Sequence, residues 1–523
     1  MQGCLIPTSK KEVEALGWNY IDVILLSGDA YVDHPSFGVA ILARVLEDAG
    51  YRVAVIPQPN WRDDLRDFRK LGAPRLFFGV TAGAMDSMVN HYTAAKRLRS
   101  DDAYTPEGRS GARPDRAVTV YTKILKELYP GVPVVIGGIE ASLRRDPHYD
   151  YWSDSLRPSI LDESGADYLV CGMGELPILY LADKFGRKYG RKVTLKVAGD
   201  LESLVHVSGK TITAAPLNRD QMDWIYDLPY TKLPHPRYKG KRIPAYDMIK
   251  FSVTTHRGCF GGCNFCAITA HQGKVIQSRS EESVLREVRK LTEHPEFKGV
   301  ITDLGAPTAN MYMMGGKNRE VCAKCKRNSC LFPSVCGNLN HDHTPLLQLY
   351  EKVLSVPGVR RVYIGSGIRY DLFLDQNGFL DEAGRRYFEQ LVLRHTSGRL
   401  KVAPEHTEDH VLKAMAKPSF KLFERLRVEF DNLVRRNNLN CQLVPYFISS
   451  HPGCTLKDME ALSRKAALHG LYMDQVQDFT PTPMSISTQM FHTGINPCTG
   501  EKIFVEREMR KKQRQKSFFF KKR

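Results

Sequence analysis

The amino-acid sequence predicts an α/β protein built on two parallel sheets: an N-terminal doubly wound sheet, then a partial (βα)6 barrel. Two observations predict this fold class. Short apolar runs alternate with amphipathic helical stretches over about the first 200 residues, and a second series of the same kind begins near residue 250. Parallel strands need crossover connections, usually helices, so this alternation indicates parallel sheets. With 523 residues, the chain is long enough for two or three domains.

The first series of apolar runs predicts an open sheet over residues 1–205. The predicted strands lie at residues 21–26, 52–56, 75–80, 134–138 and 167–171. Open parallel sheets bind ligands at the carboxyl ends of their strands. The candidate ligand-binding residues on that edge are Asp29, Asp33, His34, Gly137, Gly138 and Gly172.

Two segments interrupt this alternation. Residues 85–120 carry interspersed arginines among Gly and Pro, which predicts a solvated surface insertion; contact with a phosphate-bearing partner is the alternative. Residues 206–247 combine strand-like fragments with prolines and are predicted to connect the first domain to the barrel of residues 248–485.

A glycine-rich loop with three cysteines opens the second series. Cys259, Cys263 and Cys266 stand at C-x3-C-x2-C spacing, directly after the strand-like run 251–255. The intervening glycines let the backbone curl so that three thiolates converge. Three thiolates can hold three irons of a 4Fe–4S cluster and leave the fourth iron open to an outside ligand. A zinc knuckle or unconnected loop cysteines are the alternatives.

With Phe265 placed before the last cysteine, the motif resembles the signature of the radical S-adenosylmethionine (SAM) superfamily. The resemblance implies that SAM chelates the fourth iron through its amino and carboxyl groups. It also implies that an electron, from a donor such as flavodoxin or ferredoxin, cleaves SAM to methionine and a 5′-deoxyadenosyl radical. Phe265 becomes a candidate cofactor-binding residue through the same resemblance.

The remaining strands predict the barrel. They lie at residues 299–302, 361–364, 400–403, 442–448 and 474–476. Together with the strand before the cysteines they make six βα-like units, as in the partial (βα)6 barrel of the superfamily. Such barrels collect their active-site residues at the carboxyl ends of the strands.

Polar residues follow several of these strands. The resemblance implies contacts to SAM from Gly305 after the second strand, where the usual Gly-Gly-Glu is absent, and from Ser366 and Arg369 after the third. Glu405 and His406 follow the fourth strand and are candidates for ligand contacts or proton carriers. Packing or helix capping is the alternative for each.

Residues 449–455 follow the fifth strand. This turn resembles the superfamily's G-x-P-G-E-T turn, with Cys454 in place of glutamate and His451 as a further candidate. Packing or helix capping is again the alternative.

The whole chain resembles the YgiQ-type family of radical SAM proteins, on the run 28–38, the cysteine motif and the tail 506–516. The resemblance supplies cofactors and class but no substrate. The N-terminal sheet resembles the cobalamin-binding domain of many radical SAM enzymes. The histidine motif D-x-H-x-x-G is nevertheless replaced by Asp33-His34 followed by glycine one residue late. We therefore expect a sheet without cobalamin; a cobalamin-dependent methyltransferase is the alternative.

A second set of cysteines lies in an insertion at residues 318–345. Cys322, Cys325, Cys330 and Cys336 are followed by His341 and His343. Four thiolates make either a closed zinc site or an auxiliary iron–sulfur cluster, and the spacing does not choose between them. A structural role, in which the metal folds the insertion, is favoured. Cys4, Cys171, Cys441, Cys454 and Cys498 are scattered and are predicted to be packing residues.

The formal net charge of +17 makes an anionic partner plausible. Part of the excess lies in the tail 486–523, where residues 501–523 carry ten Lys and Arg against three Glu. A basic tail favours an RNA or protein substrate, a solvated arm being the alternative. A third hypothesis is a non-enzymatic module in which both cysteine sets only stabilise a nucleic-acid- or protein-binding fold. Clustered cysteines, no apolar signal core in residues 1–10 and no run of transmembrane length predict a cytoplasmic protein without a membrane partner.

Overall fold

Parallel strands form the framework of both halves of the chain in the computed structural model. The structure describes residues 5–190, 201–470 and 476–519. The chain divides into two units, Met1–Lys250 and Phe251–Arg523. The predicted residues Cys4, Asp474 and Gln475 lie outside the described residues.

The first unit contains a seven-stranded sheet. Its strands are β1 (Val23–Ser27), β2 (Val53–Pro57), β3 (Phe77–Thr81), β4 (Val134–Gly137), β5 (Tyr168–Val170), β6 (Val205–Ser208) and β7 (Thr211–Ala214). Their order is β2-β1-β3-β4-β5-β7-β6, and only the edge pair β6/β7 is antiparallel. The strand order reverses beside β1, so the switch point, where such sheets bind ligands, lies between β1 and β3.

Helices cover both faces of this sheet because successive side chains of each strand point to opposite sides. Leu25 packs in one buried core with the helices Gly38–Asp48 and Glu175–Gly186. Leu26 packs in the other core with the helix Ala117–Leu128. The predicted doubly wound parallel sheet is therefore confirmed.

Shorter elements complete the first unit. Its other α-helices span Lys10–Ala15, Arg66–Arg69, Ser87–His91, Gly138–Leu143, Ile160–Ser164, Leu201–Leu204, Arg219–Asp227 and Pro244–Ile249. Short 3-10 helices span Pro106–Gly108, Arg187–Tyr189 and Pro236–Tyr238, and a β-hairpin joins His148–Asp150 to Ser155–Arg157.

The structure differs from the sequence-based expectation in two segments of this unit. Strands β6 and β7 lie in the segment 206–247 or at its edge, and they extend the sheet beyond residue 205. Tyr238 and Tyr246 are buried in the same core as Leu25, so this segment belongs to the first unit rather than connecting two domains. The segment 85–120 is not wholly a solvated insertion, because Arg113 is completely buried.

The second unit contains six parallel strand positions. They are β8 (Ser252–Thr254), β9 and β10 (Val300–Ile301 and Asp303–Gly305, one position interrupted at Thr302), β11 (Arg361–Val362), β12 (Arg399–Glu405), β13 (Gln442–Ser449) and β14 (Val476–Asp478). Parallel pairing joins β8 to β10, β9 to β11, β12 to β13 and β13 to β14. A single parallel bridge, Ile368 to Val402, joins the third and fourth positions.

Within the described ranges, no ladder joins β8 to β14, so the strands form a partial barrel. The predicted partial (βα)6 barrel is therefore confirmed. Its α-helices span Ile268–Gln272, Glu281–Thr292, Arg319–Ala323, Thr344–Leu354, Glu382–Arg394, Asp409–Ala414, Phe420–Arg436, Leu456–Leu468, Ile486–Thr493 and Met509–Ser517. Antiparallel pairs join His256–Arg257 to Gln277–Ser278, Gly315–Gly316 to Leu339–Asn340, and Leu374–Asp375 to Gly378–Phe379.

The C-terminal helix Met509–Ser517 packs on the barrel rather than extending as a solvated arm. It contacts the helix Leu456–Leu468 and the strands β13 and β14. Lys512 and Gln515 are buried in this contact. The basic tail thus supplies a helix that packs on the last two strand positions, and the helix Ile486–Thr493 lies between it and β14 in sequence.

Candidate functional site

The three-cysteine loop directly follows strand β8 and is held by backbone contacts. The amide of Cys259 donates to the carbonyl of Gly273 over 3.1 Å. Gly258 has a φ of +89°, and a Cβ there would lie 2.3 Å from the carbonyl oxygen of Val275. Glycine is therefore required where the chain leaves the strand and turns back on itself.

Each thiol of this loop has a different environment. Cys259 Sγ lies 3.5 Å from the Thr308 hydroxyl, and Cys263 Sγ accepts a hydrogen bond of 3.1 Å from Arg369 Nη1. Burial raises the pKa of the Cys266 thiol to about 12, and the charges of the other two cysteines and of Glu405 act in the same direction. The Cys266 thiol is therefore protonated in the absence of a metal, whereas a bound cationic metal would favour its thiolate.

The loop fits an iron–sulfur cluster by its donor set. Among the residues that the structure describes, no three His, Cys, Asp or Glu side chains converge on one metal ion. A 4Fe–4S cluster does not need that, because each thiolate ligates a different iron. Cys259, Cys263 and Cys266 offer three thiols as donors, and the Arg369 guanidinium lies beside Cys263.

Gly305 and Ser366 come together at the carboxyl end of the second and third strands. The Ser366 hydroxyl donates to Asp303 Oδ2, and the amide of Gly365 donates to Asp303 Oδ1 over 2.9 Å. A Cβ on Gly305 would lie 3.3 Å from the Ser366 hydroxyl. Asp303 was not selected from the sequence; its position directly after a strand is the signal that could have identified it.

Arg369 lies at the cysteine loop and is buried. Its Nε donates to Asp371 Oδ1 over 2.8 Å, and its backbone is held on both sides by the amide side chain of Asn310. Burial acts to lower the pKa of Arg369, but Asp371 and Cys263 together raise it well above its usual value. The guanidinium therefore stays charged beside Cys263.

Glu405 ends strand β12 in a strained, buried position. Its φ is +69°, a conformation that costs a residue with a side chain about 1–3 kcal/mol and recurs at functional sites. Burial raises the pKa of its carboxyl, against the opposing effect of Lys417, whose amino group lies 3.7 Å away. Phe265 is partly buried and packs edge-on against His451 at 6.2 Å between ring centroids.

His406, the residue after Glu405, contacts Cys454. Its Nε2 lies 3.4 Å from Cys454 Sγ, and both residues are completely buried. Gln515 of the C-terminal helix accepts from the amide of Ser450, and its Nε2 donates to the carbonyl of Cys454. Burial lowers the pKa of His406 to about 3, so it is neutral. These contacts hold the strand ends under the C-terminal helix.

The second cysteine set lies in an insertion against the first loop. The amide of Cys330 donates to the carbonyl of Phe260 over 3.0 Å, and the Ser329 hydroxyl donates to the carbonyl of Gly261 over 2.7 Å. His343, which follows the set in sequence, is buried beside Tyr387 and 3.2 Å from the Asn310 side chain. His343 thus packs in the barrel, and His341 lies 3.4 Å from Asp381.

A cavity of about 1360 Å³ opens beside the first loop. It is lined by residues of that loop, of the insertion, of the segments after strands β11, β12 and β13, and of the C-terminal stretch 496–504. Among them are Gly262, Asn264, Asp371, Lys413, Lys417 and Pro418. This is larger than the 300–1,000 Å³ typical of small-molecule pockets.

The corresponding edge of the first unit is closed by its own side chains. Arg113 Nη2 lies 2.7 Å from Asp29 Oδ1 and 3.0 Å from Asp102 Oδ2, and Arg113 Nη1 donates to the carbonyl of Ala82 over 2.7 Å. A Cβ on Gly83 would lie 2.2 Å from the Asp29 carboxylate. These residues lie at the switch point between β1 and β3 and satisfy one another's charges and hydrogen bonds there.

The other predicted ligand-binding residues on this edge also contact the chain itself. Asp33 Oδ1 accepts from Arg44 Nε over 3.1 Å and Asp33 Oδ2 from the amide of Thr231 over 2.9 Å, and His34 Nδ1 accepts from the amide of Ser36 over 3.1 Å. The amide of Gly172 donates to the Ser142 hydroxyl over 2.9 Å.

Gly137 and Gly138 are similarly packed. A Cβ on Gly138 would lie 2.4 Å from the Thr81 hydroxyl, and one on Gly137 would lie 3.4 Å from Val170.

Comparisons with known proteins match nearly the whole chain. A family model described as "Radical SAM N-terminal" matches residues 5–208 and 202–252, and a "Domain of unknown function" model matches residues 474–522. UPF0313 proteins of Bacteroides thetaiotaomicron and Methanocella arvoryzae are 50% and 48% identical to this chain. The matches cover 98% and 97% of this chain, and 93% and 91% of those proteins.

The solved structures with a similar fold include the radical SAM methyltransferase TsrM from Kitasatospora setae. Its structure with tryptophan substrate and a SAM analogue has a TM-score of 0.51 and 16% identity, over 91% of this chain and 77% of TsrM. Its structure with cobalamin and a [4Fe-4S] cluster bound has the same TM-score and identity, over 89% and 77%. At this identity the likeness shows the fold alone. No helix in the described part of the chain is long and apolar enough to cross a membrane.

Proposed function

The chain belongs to the UPF0313 family of radical SAM proteins, and from this premise we propose that it is an enzyme in which Cys259, Cys263 and Cys266 hold a 4Fe–4S cluster completed by SAM. The observation that carries the proposal is the position of the three thiols, on the loop after the first barrel strand and beside the Arg369 guanidinium. When bound, the cluster and SAM supply a one-electron cleavage that gives methionine and a 5′-deoxyadenosyl radical.

The residues of the chain have separate roles in this proposal. Arg369 is positioned by Asp371 and Asn310 to neutralise negative charge at Cys263. Gly305 and Ser366 offer a polar edge beside the loop, and Asp303 orients the Ser366 hydroxyl. The buried Glu405, next to Lys417, is suited to bind a cationic amino group or to hold a proton.

The substrate proposed here is macromolecular, an RNA or a protein segment. The cavity beside the loop exceeds the usual size of small-molecule pockets, and the chain carries a net charge of +17. Truncating the tail would not test this proposal, because the tail helix packs on strands β13 and β14. Exposed cations of that helix, Arg510, Lys511 and Arg514, can instead be changed to serine without removing Gln515 from Cys454.

The class of reaction is tested with anaerobically reconstituted protein reduced by dithionite. We expect 5′-deoxyadenosine and methionine from SAM, and loss of both products in Cys263→Ala. Cys441→Ala removes a half-buried cysteine outside both sets and outside the lining of the cavity, and it is the matched control, for which full product formation is expected. Undiminished cleavage by Cys263→Ala would contradict the proposal. RNA and protein recovered with the active enzyme are then compared by mass spectrometry for changes that require Cys263.

A cobalamin-dependent methyltransferase is the second candidate, because TsrM has the same fold and was solved with cobalamin bound. The Arg113 ion pairs at the switch point of the first unit support the opposite proposal, that this chain binds no cobalamin. Protein purified and reconstituted in the presence of hydroxocobalamin is expected to show no corrin absorption after desalting. Stoichiometric corrin would favour the second candidate.

A further inference from the structure

The cysteine-rich insertion is fixed to the three-cysteine loop through its backbone. Cys330 and Ser329 donate to the carbonyls of Phe260 and Gly261. Gly262 has a φ of +59°, and a Cβ there would lie 2.3 Å from the carbonyl oxygen of Asn328. The backbones of the two loops are therefore in direct contact, because Gly262 has no side chain that would separate them.

The four thiols of the insertion form a set with one exposed and one half-buried side. Cys322 and Cys325 are exposed to solvent, whereas Cys330 and Cys336 are half-buried. Cys330 and Cys336 pack against the same apolar cluster as Cys259, which contains Phe260, Met311, Met314, Leu331 and Leu339. One side of the set thus faces solvent and the other faces the first loop.

The exposed side is basic. Lys317, Arg319, Lys324 and Lys326 are exposed around Cys322 and Cys325, with Glu320 the acidic residue among residues 317–327. Complementary charge guides the encounter of two proteins and orients them. An acidic electron-transfer protein is the partner that this surface fits.

A redox centre would make use of a thiol set with one side facing solvent and the other facing the first loop, whereas a zinc ion would not. Zinc has no redox chemistry and would only brace the insertion. Iron–sulfur clusters are held by four cysteine thiolates and change oxidation state by one electron. A cluster here would accept an electron on its solvent side, and its other side would adjoin the loop of Cys259.

We propose that Cys322, Cys325, Cys330 and Cys336 hold a second iron–sulfur cluster, through which electrons reach the cluster of the first loop; the electron route rests on the proposed function above. A reduced, acidic, flavodoxin-class donor loses one electron to this second cluster, which is reduced by one electron. The second cluster then returns to its oxidised state as the electron passes to the first cluster.

The metal content tests the site independently of activity. A variant with Cys259, Cys263 and Cys266 all changed to alanine is expected to retain about four irons and four sulfides per chain after anaerobic reconstitution, since one cube remains. Changing Cys322 and Cys325 to alanine instead removes the exposed pair and leaves Cys330 in contact with Phe260. This second variant is expected to lose about half of the wild-type iron and sulfide. Cys498→Ala is expected to retain all of both.

Zinc in place of iron at the second site, or no iron in the variant that lacks the first three cysteines, would overturn the proposal. Electron paramagnetic resonance adds a further readout. The signal that changes when SAM is added is expected to persist in the Cys322→Ala/Cys325→Ala variant, because SAM binds the first cluster. A SAM-insensitive signal is expected to be lost.

The electron route is tested by comparing two reductants. With reduced flavodoxin, the Cys322→Ala/Cys325→Ala variant is expected to lose SAM cleavage; with dithionite, a small reductant, cleavage is expected to continue. Equal flavodoxin-driven cleavage in variant and wild type would overturn the relay. If the wild type contains both clusters but cleaves no SAM with either reductant, the proposed function fails while the second metal site stands.

Discussion

The carboxyl edges of the two parallel sheets are equivalent positions in α/β folds, yet the side chains at the two edges differ. Buried ion pairs lie at one edge, and a cavity adjoins the other. In the first unit, Arg113 pairs with Asp29 and Asp102 at the switch point, so the buried charges there are paired within the chain. In the second unit, Gly262 and Asn264, the residues on either side of Cys263, line an open cavity. The difference shows that fold class says where a ligand could bind, and the side chains at that edge decide whether it can.

The largest expected effect is that of opening the closed edge. Arg113→Ala leaves Asp29 and Asp102 buried without their cation, and breaking a buried pair in this way costs about 3–5 kcal/mol. Amide hydrogen exchange in strands β1 and β3 of the full chain is expected to accelerate accordingly. Arg109→Ala, an exposed arginine of the same segment, is the control and is expected to leave exchange within about 0.5 kcal/mol of wild type. Equal protection in the two variants would mean that the Arg113 pairs do not hold this edge together.

The second-largest effect is expected at Gly262, where the three-cysteine loop contacts the insertion. Gly262→Ala places a methyl group against the backbone of Asn328 and forces a side-chain-bearing residue into a left-handed conformation. We expect about 2 kcal/mol of local destabilisation and reduced iron retention during purification, since strain of this kind costs about 1–3 kcal/mol.

The control for this prediction is Gly337→Ala, where an added Cβ has open space in the same insertion. It is expected to retain iron as the wild type does. Iron loss of the same size in both variants would show that the contact between the two loops has no special role.

A smaller effect is expected from the charge at the open edge. Arg369→Gln removes a cation 3.1 Å from Cys263 Sγ, which disfavours the more negative, reduced form of the first cluster. We expect its reduction potential to fall by about 60 mV, which for a one-electron couple corresponds to a tenfold change in the equilibrium constant. A potentiometric titration followed by electron paramagnetic resonance measures the shift.

Two further variants separate charge from misfolding. Arg369→Gln combined with Asp371→Asn leaves no unpaired buried carboxylate. The reduction potential is expected to fall less in this double variant than in Arg369→Gln alone. Arg361→Gln changes an exposed arginine at the start of strand β11 and is expected to leave the potential unchanged. A shift of equal size for Arg361→Gln would contradict a local effect of Arg369.

The smallest effect tests the charge balance of the closed edge. Burial, against the opposing charge of Arg113, raises the pKa of Asp29 to about 6, above its usual value of 3.8. The stabilisation that protonated Asp29 contributes to the folded state is therefore complete below about pH 3.8 and is lost as the pH rises through about 6. Asp29→Asn is neutral at every pH, and Arg113 keeps Asp102 as partner, so we expect a change of about 1 kcal/mol or less at pH 7.

The measurement for Asp29 is the free energy of local opening from hydrogen exchange in β1, in wild type and variant, between about pH 4 and pH 7. The difference between the two proteins is expected to change over this range in favour of the variant as the pH rises. A difference that does not vary with pH would contradict the raised pKa.

The sequence by itself determined the fold class, the three-cysteine loop and the family. Periodicity of apolar residues records which faces are buried, and a cysteine motif within eight residues is a local feature that needs no tertiary information. Gly305 and Ser366 lie on one edge because strand ends in a parallel barrel converge, and their contact with SAM stays a prediction.

Only the tertiary structure decided the contacts between segments distant in sequence. Arg113 looked like one of several arginines in a polar segment, and its burial depends on Asp29, 84 residues earlier in the chain. The tail appeared as a basic arm because its charge dominates its composition, but Gln515 and Lys512 pack on the barrel. Side-chain burial of a polar residue depends on partners that sequence distance conceals, since such residues are buried where their charges and hydrogen bonds are satisfied.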